Sequence, residues 1–150
     1  MPLLIFGTAT VGFVADLFLK YAKECRGGGI PTAIASIRGL LPLKWLQGIF
    51  VLFFSALLTF FVGVPLGNEG PSVQMGAAAG KGVSRLLGKN KRAWERYAMT
   101  AGASSGFAIA TGAPLSGIVF ALEEAHRRFS PAIFTIAAIS VITGTVTQEL

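Results

Sequence analysis

The chain has 150 residues, of which 53% are hydrophobic and 13% charged, with a formal net charge of +6. Its mean hydropathy is +0.65. A soluble domain of this size carries about 25% charged residues, so the composition argues against an ordinary aqueous globule. Cys25 is the single cysteine, which excludes an internal disulfide and a multi-cysteine zinc site.

Helical segments are expected at about 3–23, 30–38, 45–64, 71–87, 93–110, 114–128 and 131–148. Pro2 to Leu19 is apolar apart from Asp16. It lacks a basic leader and a small-residue cleavage site, so it does not read as a secretory signal. No charge occurs from Trp45 to Leu66, from Tyr97 to Leu122, or from Phe129 to Gln148. A helix needs roughly 20 such residues to cross a hydrocarbon core about 30 Å thick. The segments 30–38 and 71–87 are too short or too rich in glycine to be ordinary spans. The pattern predicts an all-α, multi-pass helical bundle in the lipid bilayer, with short broken or re-entrant helices.

The basic residues fall between the apolar runs: Lys20, Lys23 and Arg26; Lys81 through Arg96; Arg127 and Arg128. This distribution follows the positive-inside rule and places those stretches on the cytoplasmic side of a plasma or inner membrane. Only Tyr21 and Trp94 lie among them, too few aromatics for a nucleic-acid stacking platform. His126 stands alone beside two carboxylates and two arginines, a setting for an interfacial residue rather than a metal ligand. Gly76 and Gly80, like Gly102 and Gly106, are four apart among alanines and serines. Small residues at that spacing let helices approach closely in lipid.

Three helices are expected to begin alike: Gly29-Ile30-Pro31, Gly70-Pro71 and Gly112-Ala113-Pro114. Proline suits the first helical turn, and glycine lets the preceding backbone bend and another group come near. Helix starts carry unpaired N–H donors and partial positive charge. Within a bilayer those donors need a partner, and an anion is the natural one. Glu69 sits at one such start. It reads either as a first-turn acid complementing the helix dipole or as a built-in competitor for an anion, displaced when protonated. Glu123 and Glu124 read either as a salt-bridge cluster with Arg127 and Arg128 or as an inner proton-transfer site.

Gly67-Asn68-Glu69-Gly70-Pro71, followed by Ser72-Val73-Gln74, resembles the G-[KR]-E-G-P signature of the CLC chloride channels and chloride/proton antiporters. Gly27-Gly28-Gly29-Ile30-Pro31 resembles their G-S-G-I-P motif. Ala113 to Glu124 is similar to the helix that ends in the inner proton glutamate of the antiporter members. The resemblance covers essentially the whole chain. It implies the first inverted repeat of a CLC-type fold, without the leading helix and the second repeat. It further implies that Glu69 is the gate and Glu124, beside Glu123, the inner proton acceptor. The backbone around Gly28, Gly29 and Ile30 and around Asn68, Gly70 and Pro71 would bind chloride or a similar anion, and a homodimer would form. No cofactor is implied.

Two residues depart from the family pattern. Asn68 replaces a basic residue beside the gate, and Gly28 stands where serine or proline is common. The alternative to transport is a half-protein with a structural or partner-dependent role. An enzyme is not expected. Gly76 to Lys81 is one residue short of a phosphate-binding loop, and Gly82 occupies the magnesium-binding hydroxyl's place.

Overall fold

Glycine and proline punctuate the helices of this chain. The computed structural model describes Gly12, Phe13, Asp16, Lys20 and residues 29–62, 67–88 and 91–150. Most of the expected segment 3–23 lies outside these residues, as do Gly28 and Cys25. Helix α1 spans Gly29–Ile37, α2 Trp45–Val62, α3 Glu69–Leu86, α4 Arg92–Thr111, α5 Pro114–Phe120 and α6 Pro131–Glu149. A π-helical turn, Ala121–His126, continues α5. No strand occurs among the described residues, in keeping with the all-α expectation.

Two local expectations change. Pro31 and Pro71 are not the first residues of their helices, which begin two residues earlier at Gly29 and Glu69. The physical reason is that the first N–H groups of a helix lack an intrahelical acceptor. A proline in third place therefore forfeits no hydrogen bond. Pro114 and Pro131 do open α5 and α6. The second change concerns 114–128, which is not one α-helix. Its last turn widens to the π form, Arg127 then adopts a left-handed conformation (φ 52°), and Arg128 N–H returns to the Leu122 carbonyl at 3.2 Å.

Helix α4 is the hub, packing against α1, α3, α5, α6 and the π turn. Its contact with α3 is backbone on backbone. A Cβ added to Gly76 would stand 2.7 Å from the Gly102 carbonyl carbon, and one on Gly102 would meet Gly76 equally closely. Ala33, Ile37, Val73, Ala77, Met99, Ala103 and Phe120 form the main buried cluster. Small side chains dominate it because the helices lie so close. Ala121, Ile133 and Ala137 form a smaller cluster under Tyr97.

The outer faces are apolar. Phe50, Phe53, Phe54 and Phe60 of α2 are exposed, as are Phe134, Ile139, Ile142 and Val146 of α6. In water such faces mark an interaction surface; in hydrocarbon they are the ordinary exterior of a bundle. Among the described residues α6 is the one helix long and apolar enough to cross a membrane, and Trp45–Leu58 is a shorter apolar stretch.

Candidate functional site

The starts of α1 and α3 meet. A Cβ on Gly29 would lie 2.6 Å from Gly70 Cα, and one on Gly70 would lie 3.4 Å from the Gly29 nitrogen. The approach therefore requires glycine at position 29, whereas a Cβ at position 70 would make an ordinary contact. In α3 the first intrahelical bond runs from Ser72 N–H to the Asn68 carbonyl at 3.1 Å. The N–H groups of Glu69 and Gly70 precede it and have no intrahelical acceptor. Asn68 makes no side-chain cap, so it does not consume them. Glu69 is exposed at this mouth, Ile30 is half-buried, and Pro71 packs within the first turn. The expected anion-binding residues of the two motifs that are described, Gly29, Ile30, Asn68, Glu69, Gly70 and Pro71, are therefore brought together. The third glycine–proline start, at Pro114, is not among them: α5 touches neither α1 nor α3.

Gln74 follows the Gly67–Pro71 motif and has no role in it. It is fully buried on α3, and both its amide nitrogen and oxygen lack a hydrogen-bond partner. Ser36 Oγ, buried on α1, is likewise unpartnered. Buried polar groups of this kind mark places where water or a ligand completes the bonding. The available signal was a glutamine next to the glycine- and alanine-rich run Gly76–Gly80.

The other acids sit at the far end of α1. Glu123 and Glu124 lie on the π turn and line a cavity of about 350 Å³ with Phe107, Leu115, Ser116, Val119 and Phe120. The Phe107 and Phe120 rings stack at 5.1 Å. Among the described residues no ion pair joins either glutamate to Arg127 or Arg128, which removes the salt-bridge reading in its simple form. Instead Arg38, just past α1, donates to the main-chain carbonyls of Glu124 (2.7 Å) and Ala125 (3.2 Å). Sequence inspection missed this cap, because 86 residues separate the partners. Helix α1, nine residues long, thus joins the two acidic regions, with about 13 Å between its ends at 1.5 Å rise per residue. Helix α3 and the π turn make no contact, so Glu69 and Glu124 are held apart by α1 and α4.

His126 ends the π turn, in the basic stretch between two uncharged runs. The Thr100 hydroxyl donates to the Arg96 carbonyl at 2.8 Å. Its oxygen lies 2.8 Å from His126 Nε2 and can accept from it. Burial, and then the charges of Arg96, Arg128 and Arg38, hold the imidazole pKa below its ordinary value.

Two helix starts thus meet main chain to main chain beside a carboxylate, in an all-α bundle with apolar outer faces. The family model described as voltage gated chloride channel matches residues 8–150, and the chain belongs to that family. The H(+)/Cl(-) exchange transporter ClcA of Cronobacter sakazakii is 35% identical over 142 residues, covering 95% of this chain and 30% of the relative. ClcA of Vibrio cholerae is 34% identical over 122 residues, 81% of this chain and 26% of the relative. The crystal structure of a slow cyanobacterial Cl-/H+ antiporter superposes with a TM-score of 0.81 at 29% identity, over 95% of this chain and 35% of that one. The chain therefore spans roughly a quarter to a third of the length of these proteins.

Proposed function

We propose that residues 1–150 form the first repeat of a multi-pass chloride/proton antiporter, with Glu69 as its gate. The observation that carries this reading is the junction of the α1 and α3 starts at Gly29 and Gly70, beside Glu69. Ionised, the Glu69 carboxylate takes the place of the anion before the free N–H groups. Protonated, it leaves, and chloride accepts those donors instead. Glu124, with Glu123 beside it, loads protons from the cytoplasmic side. The exposed carboxylates on the π turn and the adjoining cavity support that role. A second repeat, in further sequence or in a partner, supplies the rest of the pathway, and the whole assembles as a homodimer in the plasma or inner membrane. Asn68 in place of a basic residue weakens anion capture at the outer mouth.

A second reading, a half-protein that acts only with a separate partner, draws on one feature. An open, mainly apolar groove of about 750 Å³ bares Gly76, Gly80, Gly102, Gly106 and Gly144, a surface suited to another helix.

Liposome flux tests both readings. The transport-competent assembly exchanges chloride for protons, and Glu69→Gln keeps chloride movement while losing proton coupling. Unchanged coupling in that variant would remove Glu69 from the gate. The 150-residue chain alone is expected not to release chloride; efflux abolished by Glu69→Gln would show this half to be sufficient.

A further inference from the structure

The first two turns of α4 and the segment from the end of the π turn into α6, far apart in sequence, line one small cavity. It measures about 180 Å³ and is lined by Arg96, Tyr97, His126, Arg128, Ser130 and Ile133, with Ala93 completing the wall. At about 30 Å³ per water it has room for roughly six waters, enough for a tetrahedral oxyanion and its residual hydration. No carboxylate lines it. The nearest acid along α4, Glu95, is turned to Arg85 at 3.2 Å and does not neutralise it.

The donors are already arranged. Arg96 is fixed by its Nε, which donates to the Ile37 carbonyl at 2.8 Å, leaving its terminal amino groups for another partner. Among the described residues no hydrogen bond or ion pair engages the Arg128 guanidinium, the Tyr97 hydroxyl or the Ser130 hydroxyl. Helix α6 begins at this wall. Its first intrahelical bond is Phe134 N–H to the Ser130 carbonyl at 2.9 Å, so the N–H groups of Ala132 and Ile133 precede any acceptor. Ser130 does not cap them with its side chain. Two guanidiniums, two hydroxyls and a helix start converge without an internal counter-ion. From these observations we propose that the cavity is a binding site for a phosphate group, carried by a soluble phosphomonoester or by a lipid headgroup, separate from the chloride path.

Planar guanidinium forks pair with phosphate oxygens in a way that a spherical halide cannot reproduce. His126 supports the assignment. The three arginines that disfavour its protonation leave a positive field that a bound dianion would offset. The groups facing it, Thr100, Arg96, Arg128 and Arg38, include no acid. Trp94 and Phe129, both exposed, flank the site in sequence. Such aromatics suit the depth of lipid headgroups.

The test is calorimetric titration of the purified protein in detergent with inorganic phosphate and with glycerol 3-phosphate. It is paired with binding to phosphatidylcholine nanodiscs with and without phosphatidic acid. Saturable binding at one site per chain is expected, weakened at least tenfold by Arg128→Gln and several-fold by Ser130→Ala. Lys44→Gln, outside the cavity, should leave it unchanged. Binding of the soluble phosphates identifies a soluble ligand; binding confined to phosphatidic acid identifies a lipid. No binding in either arm, equal binding by Arg128→Gln and Ser130→Ala, or equal loss in Lys44→Gln would overturn the proposal. So would full displacement by equimolar chloride.

Discussion

Gly29→Ala tests the junction on which the proposed anion site depends. The new Cβ would stand 2.6 Å from Gly70 Cα and closer still to the Gly70 carbonyl, where ordinary contacts begin at 3.4 Å, so α1 and α3 must separate locally by more than about 0.8 Å. Neither partner is a side chain, and no rotamer change relieves the clash. Overpacking of this sort costs about 1–3 kcal/mol. The displacement also moves the α1 start away from the N–H groups of Glu69 and Gly70. Loss of one hydrogen bond to an anion, worth about 1.5–3 kcal/mol, weakens binding at least about tenfold. Gly48→Ala is the control. Its nearest neighbour is Ala78 Cβ at 4.0 Å, and a glycine-to-alanine change inside a helix stabilises by about 0.8–1 kcal/mol. Thermal unfolding in detergent should therefore move the two variants in opposite directions, and calorimetric chloride titration should show a loss of affinity in Gly29→Ala alone. A Gly29→Ala protein with unchanged melting temperature and chloride affinity would refute the backbone junction.

The remaining predictions concern packing and positioning. Gly102→Ala places a Cβ 2.7 Å from the Gly76 carbonyl carbon and should cost about 1–3 kcal/mol, seen as a clear drop in melting temperature. Arg38→Gln removes the 2.7 and 3.2 Å bonds to the Glu124 and Ala125 carbonyls. It should cost about 1–2 kcal/mol and speed hydrogen exchange around Glu124, with partial rescue in Arg38→Lys. Glu95→Gln should change stability by less than about 0.5 kcal/mol, because Arg85 of that pair is half-exposed.

The membrane class, the all-α fold and most helix limits were legible in the sequence. Uncharged runs and glycine–proline starts act locally and need no partner to be read. The spacing of Gly76, Gly80, Gly102 and Gly106 likewise announced a close helix pair, and α3 and α4 form it. The register of that pair was not legible, since four small residues admit several.

For the site, one chain segment at a time gave three candidate helix starts of equal standing. Tertiary packing joined two, at Gly29 and Gly70, and left the third at Pro114 apart. The widening of the helix at Ala121–His126 and its cap by Arg38 also came only from the fold. A side chain bonding a carbonyl 86 residues away leaves no local trace. The same holds for the cavity of Arg96, His126 and Arg128. By itself the sequence determined which groups exist: an acid at a helix mouth, bare glycines, basic ends. Only the tertiary structure decided which of them meet, because close approach depends on how helices pack and not on what each contains.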